Sequence, residues 1–151
     1  LRARPSAKVT FTGRNPSKQA QALAQYPGVT VQGFVPDIQR AIAEASVYIL
    51  PMRLGSGIRS KLFDVFSIGK PVVSTSTGAE GLALAHGENC LIADAPDDFA
   101  RACVRLLADP AECNRLAGNI RKLGATVYSQ DRVDRLIGAV MSETIVETKK
   151  G

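Results

Sequence analysis

Gly55, Ser56 and Gly57 stand immediately ahead of a helical pattern that opens at Ile58 and closes at Gly69. The apolar residues before them, Val47 to Leu50, read as a buried strand. A strand, a glycine-bearing turn and a helix N-terminus together form an anion site, because the first helical amides lack intrahelical partners and their dipoles point into the turn. Gly55 and Gly57 let the backbone approach a phosphate with no side chain in the way. Arg59 and Lys61 fall in the first turn, where a cation opposes the helix dipole. That placement suits a bound polyanion better than it suits the helix alone. Asp64, further along the same polar side, is placed to accept hydrogen bonds from hydroxyls of the same ligand, with Ser60 and Ser67 beside it.

The elements that must position this stretch follow from the hydrophobic periodicity. Within the helix Ile58, Leu62, Val65 and Phe66 form one apolar stripe that must face a core. Upstream, Lys8 to Thr12 alternates like a strand, Ser17 is suited to cap a helix over Lys18 to Gln25, and Pro27-Gly28 breaks it before the strand Val29 to Gln32. Asp37 begins a short helix, DIQRAIAEA, and the run Ser46 to Leu50 is apolar throughout, as a strand covered on both faces should be. Pro71 opens the strand PVVSTS. Residues 77 to 89 read as a glycine-rich loop, and Cys90 to Ala93 as a short strand. Three helices then follow: Pro96 to Ala108, Ala111 to about Val127, and Gln130 to about Val146, with a frayed end from Thr148. Asp94, Asp97 and Asp98 suit the first of these helix starts, and Asp109-Pro110 separates it from the second. The last helix carries an apolar stripe of Val133, Leu136, Ile137, Val140 and Met141. Strands alternating with helices predict an α/β fold, a parallel sheet with helices on both faces and extra helices at the C-terminus. Ligands of such sheets sit at the carboxyl ends of the strands, where the Gly55 to Gly57 loop falls.

With 151 residues and 45% hydrophobic content the chain can bury a core as one domain. A net charge of +5 favours acidic ligands. Nucleic acid is not indicated, because there is no Lys/Arg block and no aromatic platform. Cys90, Cys103 and Cys113 show no CxxC spacing and imply a reducing compartment, with Cys103 reading as a small buried hydrophobe. No apolar run is long enough to span a membrane. His86, the only histidine, lies in the polar segment HGEN without a cluster of ligating residues and reads as a surface residue, with no metal site expected.

Three segments taken in order resemble a known family: VTVQGFVPDI (29 to 38), SVYILPMRLGSGIRSKLFDVFSIGKPVVSTSTGAEGL (46 to 82) and HGENCLIADAPDDFARACVRLLADP (86 to 110). Roughly from Pro5 to Arg135 the chain is similar to the C-terminal domain of the GT-B glycosyltransferases of family 4, the glycosyl transferases group 1. Within that family it is most similar to a bacterial branch associated with exopolysaccharide synthesis. The resemblance implies a Rossmann-like domain that binds a nucleotide-sugar donor and faces an N-terminal acceptor domain. It also implies retaining transfer to a glycan or lipid-linked acceptor, with no metal cofactor. Basic residues and helix amides would hold the departing diphosphate.

Carried over by position, Gly55, Ser56 and Gly57 form the phosphate loop, and Arg59 and Lys61 are the cationic partners of the leaving group. Asp64 stands where the family has a ribose-binding glutamate and is one methylene shorter. Ser56 replaces the family's other glutamate, so the paired-glutamate signature is broken. Gly33, Phe34 and Val35 resemble the segment that holds the base, and Glu80 lies by order near the same cleft. The family pattern further implies that the acceptor domain and a first strand of this domain precede Leu1, so that this chain alone would be inactive. The full enzyme would work in the cytoplasm, as a peripheral protein at the inner membrane face. Two other readings stand beside transfer: a GT-B nucleotide-sugar epimerase, and a non-catalytic module binding a nucleotide sugar or polyanion.

Overall fold

The computed structural model describes residue 4, residues 6–55, residues 61–129, and residues 131, 132, 134 and 135. Five strands alternate with helices: β1 (Val9–Thr12), α1 (Lys18–Ala22), β2 (Val29–Gln32), α2 (Ile38–Glu44), β3 (Tyr48–Leu50), α3 (Lys61–Ile68), β4 (Val72–Ser74), α4 (Ser76–Ala79), β5 (Leu91–Ile92), α5 (Pro96–Ala108) and α6 (Pro110–Val127). Every strand pairing is parallel. β1 pairs with β2 in register Val9 to Val29, while β3, β4 and β5 form a second ladder in that order. No short hairpin can join parallel neighbours, so each must be reached by a crossover.

The three-stranded ladder is the heart of the molecule, and its side chains alternate between two cores. On one face Tyr48, Leu50, Val72, Cys90 and Ile92 meet Ile42 of α2, Leu62, Val65 and Phe66 of α3 and Ile120 of α6. On the other, Val47, Ile49, Val73 and Leu91 meet Phe99, Cys103 and Leu106 of α5 and Leu116 of α6. Val72, Val73 and Ser74 are wholly buried because β4 has a strand on each side and helices on each face. The stripe expected on α3 is the one that packs: Leu62, Val65 and Phe66 are all buried, each burial contributing about 2 kcal/mol. Ile58 lies outside the described residues. In the β1–β2 ladder Val9, Phe11, Val29 and Val31 are half-buried, whereas Thr10 and Thr30 are exposed.

The helix starts follow local chemistry. Ser17 accepts from the Ala20 amide, Asp37 from the Arg40 amide and Asp109 from the Glu112 amide, with Pro110 in the first turn of α6. The expected first helix ends early as α-helix, its last three residues, Leu23–Gln25, tightening into a 3₁₀ turn ahead of Pro27-Gly28.

Four sequence expectations need correction. The strand PVVSTS stops at Ser74, because Thr75 caps a short helix over Ser76–Ala79 that the sequence reading assigned partly to strand and partly to loop. Asp94 does not serve the start of α5; its two carboxylate oxygens accept from the amide and the hydroxyl of Ser76, both at 2.7 Å. The expected strand Cys90 to Ala93 is reduced to Leu91–Ile92. Cys103 is only half-buried, and Cys90 is the fully buried thiol, pushed up to about 11 by desolvation. Of the third C-terminal helix only Asp131, Arg132, Asp134 and Arg135 are described; its apolar stripe lies outside the described residues.

Two outcomes test this packing. A Cβ on Gly124 would lie 2.9 Å from the Phe66 Cβ and 3.2 Å from Phe66 backbone atoms, whereas one on Gly118 in the same helix meets nothing within 4 Å. Gly124→Ala therefore destabilises by about 1–3 kcal/mol, and Gly118→Ala stabilises by up to about 1 kcal/mol; equal effects in urea unfolding would refute the close α3–α6 contact.

The Ser76 hydrogen bonds hold the Asp94 carboxyl below its ordinary value of 3.8. A depressed native pKa gives stability that is present above the unfolded value and lost as pH falls through the native one. Wild type thus melts above Asp94→Asn at neutral pH, and the gap closes as pH falls below 3.8. A pH-independent gap would show that the charge is irrelevant.

Candidate functional site

The carboxyl ends of the strands carry the residues singled out by the sequence. Gly33, Phe34 and Val35 follow β2; Pro51 to Gly55 follow β3; Glu80 closes α4, which follows β4. α2 starts beyond β2 and α3 is first described beyond β3, and their early turns are joined where the Gln39 side-chain amide donates to Asp64 Oδ1 at 3.0 Å.

The turn after β3 is held from β4. Thr75 donates its hydroxyl to the Met52 carbonyl, accepts from the Gly78 amide at 3.1 Å, and donates its own amide to Leu50 O at 3.3 Å. Gly78 is required there, since a Cβ would lie 2.5 Å from Ser74 Oγ and 3.0 Å from the Leu50 carbonyl. At Gly55 the backbone takes φ 135°, a conformation that side-chain-bearing residues rarely adopt, and a Cβ would meet Met52 Cε at 2.9 Å. The glycine anticipated as part of the loop is thus demanded by the backbone. Leu54 beside it is 88% exposed.

Ser56, Gly57 and Arg59 lie outside the described residues. Lys61 is exposed at the first described position of α3, on the flank of the buried stripe. Asp64 is half-buried one turn on. Burial pushes the Tyr48 phenol up, and the nearby Asp64 carboxylate adds to that shift. Asp64 is held by an amide donor on α2. Gln39 is 25 residues away in sequence, and nothing in its local pattern marks it.

At the other ladder the turns after β1 and β2 are tied by the Gly13 amide, which donates to Gly33 O at 3.2 Å. Phe34 is 61% exposed, and the Arg14 guanidinium lies over its ring, 5.1 Å from the centroid. Arg14 was not among the residues the sequence singled out.

Glu80 is exposed on the rim of an open depression lined also by Ser76, Thr77, Gly81 and Leu82. The loop beyond it is anchored by Asn89, whose side chain donates to Ala83 O and accepts from the Ala85 amide, and by Tyr128, whose hydroxyl accepts from the Ala83 amide. Among the described residues neither Glu80 nor Lys61 forms an ion pair. His86 is exposed, as expected, but its ring is engaged: Nδ1 accepts from the Ile92 amide at 2.9 Å. Among the described residues no three His, Cys, Asp or Glu side chains are placed to hold a metal ion, and no helix is long and apolar enough to cross a membrane.

An exposed glycine turn, a helix bearing a cation and a carboxylate, and an aromatic turn, each following the carboxyl end of a parallel strand, are groups suited to an elongated, polar, negatively charged ligand. The fold is shared with solved glycosyltransferases. Anabaena HepE, solved with UDP and glucose, superposes with a TM-score of 0.80 at 16% identity, over 93% of this chain and 42% of its own. Sucrose-phosphate synthase from Thermosynechococcus elongatus gives 0.76 at 18%, over 93% and 39%. The C-terminal domain of LpcC, a glycosyl transferase group 1 family protein from Francisella tularensis, gives 0.62 at 14%, over 82% and 88%. The chain thus spans about two fifths of the length of HepE, and the shared architecture is the Rossmann-like C-terminal half of the GT-B fold. No curated protein sequence matches it. The sequence profile of the glycosyl transferases group 1 matches residues 1–109. On that match, with the parallel fold beneath it, the chain belongs to the glycosyl transferases group 1 family.

Proposed function

We propose that this chain is the donor domain of a retaining family 4 glycosyltransferase, binding a nucleoside diphosphate sugar along the carboxyl edge of its strands. The observation that carries the reading is the turn after β3: Gly55 at φ 135°, fixed through Met52 by Thr75, leads towards a helix with Lys61 and Asp64 on its polar side. Gly55, Ser56, Gly57 and the following amides meet the distal phosphate, and Arg59 and Lys61 stabilise the charge that develops on the leaving diphosphate. Helix amides and cations do this work without a divalent ion. Asp64 receives the ribose hydroxyls; its carboxylate is short by one methylene relative to the family's glutamate, and Gln39 on α2 fixes one of its oxygens. The turn Gly33-Phe34-Val35 holds the base, and Glu80 faces the same cleft towards the sugar. HepE, whose fold this chain shares, is solved with UDP and with UDP-glucose.

The sugar passes to a glycan or lipid-linked acceptor held by an N-terminal domain, in surface polysaccharide synthesis at the inner membrane face. An additional parallel strand of this domain precedes β1 and joins the two ladders. That reading is supported by β3, which is half-buried throughout while its neighbour β4 is wholly buried. A non-catalytic binding module is the second reading, favoured by Ser56 in place of the family's glutamate.

Calorimetric titration with UDP, GDP and ADP checks the site. One nucleotide binds saturably, and Arg59→Ala and Lys61→Ala each weaken it roughly tenfold or more, as expected for a lost charged contact. Unchanged binding in both variants removes the phosphate assignment. For the protein that contains this chain, NDP-sugar turnover that survives Asp64→Ala would remove the ribose assignment, and the absence of any turnover in wild type would favour the binding module.

A further inference from the structure

We propose that Arg14 is a base-reading residue of the donor site, selecting a nucleobase edge that presents carbonyl oxygens (uracil, thymine or guanine) over adenine. This rests on the donor-site reading above and adds a residue and a specificity to it.

Arg14 stands at the carboxyl end of β1, one residue past Gly13, whose amide is bonded to Gly33 at the end of β2. The chain then reverses through Asn15 at φ 50°, a left-handed conformation that asparagine tolerates, and Pro16 leads into the capped start of α1. This geometry puts the guanidinium over Phe34, an aromatic ring that is 61% exposed and takes no part in either core. An arginine held on an aromatic face keeps its planar set of donors for a further partner.

Asp37 and Glu44, the acids of the following helix and its cap, are engaged elsewhere. Asp37 caps α2 through the Arg40 amide, and Glu44 pairs with the Arg40 side chain. Among the described residues no carboxylate pairs with Arg14. A cationic fork and an exposed ring therefore lie side by side at the sheet edge, beside the turn assigned to the base.

The chemistry of the fork sets the preference. Guanidinium carries N–H donors and no acceptor. Uracil and thymine offer carbonyl oxygens on their outer edge, and guanine offers O6 beside N7, the pair that arginine reads with two bonds. Adenine puts an amino donor where guanine has O6, so one donor would face another. A phosphate would also take the fork, but it would do so whatever the base.

Wild type, Arg14→Ala and Arg14→Lys are titrated calorimetrically with UDP, GDP and ADP. Wild type binds UDP or GDP more tightly than ADP. Arg14→Ala weakens the preferred nucleotide by roughly tenfold or more and leaves ADP unchanged, so that the preference flattens. Arg14→Lys keeps the charge and N–H donors without the planar fork and retains only part of the preference. Equal weakening of all three nucleotides by Arg14→Ala would assign the residue to phosphate and overturn the proposal. So would retention of the wild-type preference in Arg14→Ala, or a wild type that prefers ADP, each with the donor site intact. Failure of wild type to bind any of the three overturns the donor-site reading and this inference together.

Discussion

Thr75 closes the last turn of backbone pairing between β3 and β4 and begins everything that projects from them. Its amide bonds to Leu50, its hydroxyl bonds to Met52, and the same hydroxyl caps the helix that starts at Ser76. One buried side chain therefore decides where β3 ends, how the glycine turn departs and where α4 begins. The arrangement works only because Gly78 lets α4 sit against the Leu50 carbonyl and the Ser74 hydroxyl. Buried hydroxyls and amides need partners, and here each partner also positions a candidate ligand-binding turn.

Below that edge the packing is divided in a way that makes α6 a tie between the two cores. Leu116 belongs to the α5 side of the sheet and Ile120, one turn on, to the α3 side. Gly124 then brings α6 hard against Phe66, and Tyr128 stacks on the Phe66 ring while its hydroxyl holds the loop at Ala83. α3, the helix on which the candidate phosphate and ribose groups stand, is thereby clamped from behind. The helix that carries Lys61 and Asp64 is thus closely packed along its buried face.

Much of the organisation was legible in the residues alone. The parallel α/β class, the strand Val29–Gln32, a strand within Ser46 to Leu50, the buried stripe of α3, the cap Ser17, the helix break at Asp109-Pro110 and the need for Gly55 all follow from local rules of period, capping and backbone freedom. The short helix at Ser76 was misread because the β-branched run before it extends the strand signal, and only the Thr75 cap ends it. Asp94 was misread for a related reason: its position one residue before the α5 N-cap suits a helix start, yet its better partner, Ser76, lies 18 residues back.

The sequence by itself determined the elements and the chemistry of the turn at Gly55, since these depend on neighbours within a few residues. Membership in the glycosyl transferases group 1 was also legible there, through motifs whose order and spacing survive without coordinates. Only the tertiary structure decided that Gln39 reaches Asp64, that Arg14 lies over Phe34, and that Cys90 rather than Cys103 is the buried thiol. Such pairings join residues on different elements, and their geometry is set by crossovers and helix packing, which no local pattern encodes.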